Sequence, residues 1–192
     1  DLVHRKSYIT EGATCHYTWY VPQNVEGLFQ VINNSGQNVI TRLDRMFDEG
    51  LYWHGNEPCH QIAYLYNKAG APWKTQQRIH HILNTEYNDT PGGLSGNDDA
   101  GQMSAWYMFS AIGFYPVCPA TPYYHIGTPS FDKVTFNLEN GRKFEIVAEG
   151  VDDENFYIQQ VDLNGKSGYY LSHDDLLKGG KLSFRMGNSP KY

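Results

Sequence analysis

The sequence predicts an α+β fold, with helices in the first part of the chain and strands in the second. Up to residue 121, apolar residues recur with a period of about 3.6, as they do on one face of a helix. Beyond that point apolar and polar residues alternate, which is typical of strands. The change falls in the stretch from Pro119 to Pro122. We therefore place helices in residues 1–121 and antiparallel strands in residues 122–192.

About five amphipathic segments predict the helices. Their apolar faces are Val25, Leu28, Phe29 and Ile32; Val39, Leu43, Met46 and Phe47; Ile62, Tyr66 and Ala69; Trp73, Ile79, Ile82 and Leu83; and Met103, Trp106, Tyr107 and Ser110. Prolines 22, 58, 72 and 91 stand at or near the starts of these segments, where a residue without an N–H group is tolerated.

The second part reads as an antiparallel sheet of about five or six strands. Residues 134–138 and 144–148 each alternate apolar and polar side chains, and Asn140-Gly141 between them is a strong hairpin signal. Further strands are predicted in "NFYIQQVDL", "GYYLSH" and "GGKLSFRMG".

Composition and charge narrow the function classes. A net charge of −6 argues against nucleic acid, which selects basic surfaces, and the uncharged runs are too short and polar to predict a membrane span. The chain has 15 tyrosines, 9 phenylalanines and 4 tryptophans, an abundance typical of carbohydrate handling and equally of an aromatic core. The 3 cysteines form no CxxC pair, which indicates buried thiols, with one disulfide and a free thiol as the alternative.

Three polar loops in the helical part carry candidate catalytic groups. The first, "YITEGATCHYTWYVP", places Glu11 among aromatic residues, and partial desolvation there would favour the protonated carboxyl that a general acid needs. A capping or solvated glutamate is the alternative. The second, "YWHGNEPCHQIAYLY", crowds His54, Asn56, Glu57 and His60 into one turn. Its spacing does not fit an HExxH zinc site, and its oxygen donors suit calcium or sugar hydroxyls, unless they only cap a helix.

The third loop, "GGLSGNDDAGQMSAWYMFSAIGFYP", places Asp98 and Asp99 before an aromatic-rich helix. A helix N-terminus favours an ionised carboxylate, which suits activation of a water molecule. Capping explains one aspartate but not both aspartates beside Asn97. The loop lacks the spacing of an EF-hand.

Taken in order, these segments resemble glycoside hydrolase family 92, the calcium-dependent exo-acting α-mannosidases. The resemblance rests on "YTWYVPQNVEGL", "HGNEPCHQIAYLYNKAGAPWKTQ", "GNDDAGQMSAWYMFSAIGFYPVCP" and "YYHIGTPSFDKVTFNLENGRKFEI", and it covers nearly the whole chain. It implies the C-terminal part of an (α/α)6 barrel, followed by strands that pack against an N-terminal sandwich. We accordingly expect an N-terminal part of the same polypeptide to be missing, and the chain alone to be weakly active or inactive.

The resemblance also implies roles for individual residues. The family hydrolyses terminal α-linked mannose with inversion, so Glu11 is expected to protonate the leaving oxygen and Asp99 to activate water, with Asn97 in support. Asn56 and Glu57 match the pair that lines the leaving-sugar subsite, where a glutamate is associated with α-1,2 linkages. The expected substrate-binding residues are His54, Asn56, Glu57, Asp98 and Trp19. Calcium is the expected cofactor, with ligands that the sequence does not identify.

One departure and two alternatives accompany this interpretation. "EGATCHYTW" replaces several residues of the family's EGNAWQ run, which bears on the geometry around Glu11 and on substrate preference. A non-catalytic carbohydrate- or calcium-binding module of the same fold is one alternative, and another (α/α)6 glycosidase or a phosphorylase is the other. The expected partner is a mannose-containing glycan. The compartment is left open between cytoplasm and export.

Overall fold

The computed structural model describes residues 6–165 and 168–192, and the helices dominate its first half. Seven α-helices occur in these residues: α1 Thr14–Thr18, α2 Val25–Asn34, α3 Val39–Asp48, α4 Leu65–Lys68, α5 Pro72–Thr85, α6 Gln102–Ile112 and α7 His173–Leu177. Short 3₁₀ turns at Pro22–Asn24, Glu57–Cys59 and Ile62–Tyr64 connect them. Helices α2 to α6 confirm the five predicted segments, whereas α1 and α7 were not predicted.

The strands form two sheets rather than the single antiparallel sheet expected from the sequence. The strands are β1 Phe114–Tyr115, β2 Tyr123–Ile126, β3 Lys133–Asn137, β4 Lys143–Glu149, β5 Tyr157–Leu163, β6 Tyr170–Ser172 and β7 Gly180–Gly187. A three-stranded sheet has the order β1-β2-β6, and a four-stranded sheet the order β3-β4-β7-β5. All pairs are antiparallel except β4 and β7, which run parallel. The prediction of a wholly antiparallel sheet was wrong, because alternation identifies strands but does not specify their partners.

Two hydrophobic cores correspond broadly to the helical and strand-rich parts. Buried side chains between Ala13 and Val117 form the first core, and buried side chains between Phe114 and Met186 form the second. Buried polar contacts join the two parts: the Asn67 amide donates to the Ile126 carbonyl at 2.8 Å, and the Ile158 N–H donates to the Gln76 side chain at 2.9 Å. The boundary between 121 and 122 stays a prediction, and the short strand β1 lies on its helical side.

Local sequence signals explain where several helices begin. Asn24 and Asn38 accept hydrogen bonds from Gly27 and Thr41, which caps α2 and α3. The Ser172 hydroxyl caps α7 in the same way, by accepting from the Asp175 N–H at 3.0 Å. Side-chain caps therefore account for these three starts.

The aromatic residues and the cysteines contribute mainly to the core. Trp19, Trp106, Tyr64 and Tyr66 are among the fully buried side chains, so much of the aromatic content serves packing. All three cysteines are free thiols, two of them buried, as the first of the two expectations had it. Within residues 6–165 and 168–192, we find no helix with the length and apolarity needed to cross a bilayer.

Candidate active site

The three polar loops singled out in the sequence meet in the structure, and Asn56 joins the first two. Its side-chain N–H donates to the backbone carbonyl of Glu11 at 2.9 Å. Its side-chain oxygen accepts from the Glu57 N–H at 3.1 Å. Because Asn56 is 7% exposed, this amide is held in place, and its bond to Glu11, 45 residues away in sequence, fixes the Glu11 backbone relative to the Glu57 turn.

Two glycines bring the second and third loops together. A Cβ atom on Gly96 would lie 2.3 Å from the Gly55 carbonyl oxygen and 2.7 Å from the Gly55 Cα. A Cβ on Gly55 would lie 2.6 Å from the carbonyl oxygen of Ser95. The two backbones therefore touch only because neither residue has a side chain. These loop glycines therefore let two loops approach each other.

This contact places the carboxyl groups of Glu57 and Asp99 side by side. A hydrogen bond from Glu57 is the main cause that raises the pKa of Asp99, with smaller contributions from desolvation and from the charges of Glu57 and Asp98. Two neighbouring carboxylates repel each other, so the protonated form is favoured. We expected the helix start to keep Asp99 ionised. The structure corrects that expectation, because the adjacent carboxyl acts in the opposite direction.

Asp98 and Asp99 have different roles at the start of α6. One Asp98 oxygen accepts from the Ser104 N–H at 2.9 Å and from the Ser104 hydroxyl at 2.8 Å, so this carboxylate caps the helix. Asp99 instead has a φ angle of 49° and an exposed side chain. The left-handed backbone directs Asp99 away from the capping position. Asp98, predicted to bind substrate, has a structural role in this arrangement.

Backbone strain is concentrated in the candidate loops. Among the described residues, four non-glycine residues have positive φ angles, and three of them are Glu11 (56°), Asp99 (49°) and Ala100 (57°). Such conformations cost about 1–3 kcal/mol each and persist where the surrounding structure holds them. The expected aromatic wall around Glu11 is absent from the described residues, since the Glu11 carboxyl is exposed and Tyr8 is 81% exposed. Desolvation of Glu11 would therefore require residues outside this arrangement.

Two predicted substrate-binding residues lie in the core instead of facing the site. Trp19 is 1% exposed, and His54 is 0% exposed with hydroxyl groups on both ring nitrogens: Tyr52 at 2.7 Å and Tyr87 at 2.6 Å. Burial, and to a lesser degree the nearby His60, lowers the pKa of His54 to about 2, so its ring is neutral. Direct sugar contacts by these two side chains stay a prediction, which their burial in this structure does not favour.

A polar contact behind the carboxyl pair was not predicted. His60 follows Glu57 by three residues, Gln102 follows Asp99 by three residues, and the Gln102 amide nitrogen lies 3.2 Å from the Nδ1 atom of His60. Gln102 also approaches the Tyr115 hydroxyl at 3.3 Å. The common spacing of three residues from each carboxyl was the only sequence signal that pointed to this contact.

The remaining expectations concern Asn97 and the metal. Asn97 is exposed in the same loop as Asp99, where its supporting role stays a prediction. Calcium takes six to eight oxygen ligands. Residues 6–165 and 168–192 contain no group of three or more His, Cys, Asp or Glu side chains that could hold a metal ion, and the Glu57–Asp99 pair offers only two carboxyls. The calcium ligands therefore stay unassigned.

Comparison with known proteins identifies the family. Residues 2–188 match the glycosyl hydrolase family 92 catalytic domain. The chain belongs to glycosyl hydrolase family 92. An uncharacterized secreted glycosidase of Arthroderma benhamiae is 31% identical over 174 residues, which cover 88% of this chain and 22% of that protein.

Solved structures of the family share the fold. The GH92 α-mannosidase BT3965 of Bacteroides thetaiotaomicron has 45% identity and a TM-score of 0.91, over 100% of this chain and 27% of that one. Its complex with mannoimidazole gives 44% identity and a TM-score of 0.88, over 96% of this chain and 26% of that one. The inverting GH92 mannosidase BT2199 of the same organism has 37% identity and a TM-score of 0.90, over 99% of this chain and 29% of that one. The chain thus spans about a quarter of the length of these family 92 relatives.

Proposed function

We infer that this chain carries the catalytic carboxyls of a family 92 glycosidase that removes terminal α-linked mannose. The observation that supports the proposal is the convergence of the three distant loops that bear Glu11, Glu57 and Asp99, two of which have strained backbone conformations. Family membership supports the reaction class, since BT3965 is an α-mannosidase that binds mannoimidazole. BT2199 is an inverting mannosidase, which supports inversion.

In this proposal Glu11 is the general acid and Asp99 the general base. A base works best when its pKa lies near the working pH, and Glu57 moves the pKa of Asp99 upward from its ordinary value. Asp99 is exposed and not engaged in capping, so a water molecule can reach it. An inverting reaction needs the acid and base carboxyls about 6.5–9.5 Å apart, which leaves room for that water. Asn97, beside Asp98 in the same loop, would support the base.

Glu57 has two roles in the proposal. It raises the basicity of Asp99, and with Asn56, which accepts from the Glu57 N–H, it would line the subsite of the leaving sugar. We propose that the enzyme prefers exo cleavage of α-1,2 linkages, with Asn56 and Glu57 as the residues responsible for this preference. The natural substrates would be oligomannose or mannan glycans.

The remaining parts of the pocket would come from outside these 192 residues. The chain covers 27% of BT3965, and among the described residues no three His, Cys, Asp or Glu side chains group to hold a metal and the Glu11 carboxyl is exposed. We propose that further chain completes an (α/α)6 barrel, covers the exposed Glu11 carboxyl and contributes the ligands of any calcium ion. Calcium is therefore not assigned to a residue of this chain.

The test separates the acid from the base in the complete enzyme. Asp99→Asn should lower kcat by about 10²–10⁴-fold on every α-mannoside, because water must always be activated. Glu11→Gln should lower turnover of α-mannobiose to a similar degree but spare a dinitrophenyl mannoside, whose leaving group needs no proton. Glu139→Gln, which neutralises an exposed carboxylate between β3 and β4, is the matched control and should have no effect.

Proton NMR of the first sugar released completes the test. An inverting enzyme releases β-mannose from an α-linked substrate, with α-mannose appearing later by mutarotation. Release of α-mannose first, or equal loss in Glu11→Gln on both substrates, would contradict the assignment. A wild-type enzyme without activity on any α-mannoside would contradict the function itself.

A further inference from the structure

We propose that His60 and Gln102 form a clasp that sets the position of Asp99 relative to Glu57, and that both are positioning residues for the reaction. The clasp is the hydrogen bond from the Gln102 amide to Nδ1 of His60, 3.2 Å long. It joins residues 42 positions apart in sequence, each three residues beyond one of the two carboxyls. This inference rests on the proposed function, since it concerns the geometry of the same site.

The hydrogen-bond partners determine which ring nitrogen of His60 carries the proton. The Nε2 atom lies 3.0 Å from the His54 carbonyl, which can only accept, so Nε2 is the donor. In a neutral ring Nδ1 then has the lone pair, and the Gln102 amide donates to it. Burial lowers the pKa of His60 to about 4, so the ring is neutral near pH 7. His60 is 2% exposed, so water has little access to its ring and competes only weakly for this hydrogen bond.

His60 is fixed from the side of the Glu57 turn. Its ring is anchored on the His54 carbonyl, and its own carbonyl accepts from the indole N–H of Trp106 at 2.9 Å. The His60 N–H donates to the Glu57 carbonyl at 3.0 Å, which closes the turn that bears Glu57. A change in the position of His60 is therefore transmitted directly to the backbone of Glu57.

Gln102 is fixed from the side of Asp99. Its N–H lies 3.3 Å from the Asp99 carbonyl, and the next N–H, of Met103, donates to the Asp98 carbonyl at 3.2 Å. These bonds close the strained turn in which Asp99 has its positive φ angle. The Gln102 amide also reaches the Tyr115 hydroxyl, and Tyr115 lies close enough to Glu57 for their charges to interact. The clasp thus connects both carboxyl-bearing turns through one side-chain pair.

The physical consequence is a fixed separation of two groups that repel each other when ionised. The Gly55–Gly96 contact holds the loops close on one side, and the clasp holds them on the other. Without the clasp, the turns are free to separate and Asp99 loses the influence of Glu57. A misplacement of about 1 Å can lower a rate by about 100-fold.

Substitution of Gln102 in the complete enzyme tests the clasp. Gln102→Met keeps the length of the side chain but removes the donor, and should lower kcat about 10–100-fold with KM within about twofold of wild type. The acidic limb of the pH profile should move to lower pH, because Asp99 separated from Glu57 returns toward its ordinary pKa. Gln102→Asn keeps the amide but shortens its reach, and provides a second variant if the methionine variant does not fold.

Gln76→Met is the matched control. Gln76 is buried, whereas Gln102 is half-buried, and it likewise makes a long-range hydrogen bond, which it accepts from the Ile158 N–H, but it joins α5 to β5. It should lower Tm as much as Gln102→Met while leaving kcat and the pH profile unchanged. If the Gln102 variants lower Tm but keep wild-type kcat and an unmoved acidic limb, the clasp is only structural and the proposal is overturned.

A readout independent of activity separates this proposal from the proposed function. Crystal structures of wild type and Gln102→Met should differ in the Glu57–Asp99 carboxyl separation by more than about 0.5 Å, the tolerance expected for a catalytic group. An unchanged separation would overturn the clasp. An enzyme that is inactive on all α-mannosides but shows the displacement would overturn the function and retain the clasp.

Discussion

Replacement of Gly96 by alanine is the sharpest test of how the site is assembled. The new Cβ atom would lie 2.3 Å from the Gly55 carbonyl oxygen, 2.7 Å from the Gly55 Cα and 2.8 Å from its carbonyl carbon. Non-bonded heavy atoms pack at about 3.5 Å, so one loop must move by about 1 Å. All three obstructing atoms belong to the backbone, so no side-chain rotation can relieve the overlap.

This displacement should lower both the stability of the protein and its kcat. Forcing an extra methyl group into a tight contact costs about 1–3 kcal/mol of stability. The same shift of about 1 Å separates the Glu57 turn from the Asp99 turn, and should lower kcat by about 100-fold. Stability is measured by urea unfolding, and kcat on an activated aryl mannoside and on α-mannobiose. Both quantities should fall in the same variant.

Gly92→Ala is the control within the same loop. A Cβ on Gly92 meets no atom within 4 Å, so this variant should keep wild-type stability and kcat. The reasoning is refuted if Gly96→Ala behaves like Gly92→Ala. It is also refuted if Gly96→Ala loses stability but retains full kcat, since the contact would then not position the carboxyls.

Two further predictions concern Glu57 and calcium. Glu57→Gln should impair hydrolysis of α-1,2-mannobiose more than that of an aryl mannoside, and equal losses would move Glu57 out of the leaving-sugar subsite. The same variant should raise Tm near pH 7. The raised pKa of Asp99 means that the folded state binds this proton more tightly than the unfolded state does. Proton binding by Asp99 therefore stabilises the fold below the ordinary pKa of 3.8, and this stabilisation is lost as the pH rises through the folded-state pKa. The Tm gain should therefore shrink in acid, and a pH-independent gain would refute this reasoning. A chelator should abolish turnover by the complete enzyme, and added calcium should restore it. Calorimetry on the 192-residue chain alone should show calcium binding with a Kd no tighter than about 1 mM. Tighter binding by this chain would show that its own residues form the site.

Much of the fold was predictable because the periodicity of apolar residues reports local structure. The segments at 134–138 and 144–148 correspond to β3 and β4, and Asn140-Gly141 does form the turn between them. The partners of β7 were not predictable, since pairing between residues about 36 positions apart depends on packing and not on local pattern. Helix α7 carried a readable cap in Ser172, but five helical residues between two strands are too few to interrupt a period of two.

The sequence pointed to the loops that carry the candidate site, but not to the roles of the individual residues in them. Residue types alone brought the three loops to attention, and in the structure the Asn56 bonds and the glycine contact bring these loops together. Which aspartate caps α6 depends on the φ angle of Asp99, and no sequence pattern specifies that angle for a non-glycine residue. The burial of His54 was not predictable for a related reason: a histidine beside polar residues in sequence can still point into the core, where one ring nitrogen meets the nearby Tyr52 hydroxyl and the other that of Tyr87, 33 positions further along the chain.

The central position of β7 has a consequence for the order in which the chain can fold during synthesis. β7 lies between β4 and β5, both of which are made earlier, and it pairs with β4 over residues 144–149 and with β5 over residues 157–163. Until residue 187 has left the ribosome, β4 has a partner only in β3, and β5 has an unpaired edge on each side. Open edges of this kind are templates for pairing with other nascent chains. A chain released from the ribosome just before residue 180 should thus expose unpaired edges of β4 and β5, and β7 then joins these two strands into one four-stranded sheet.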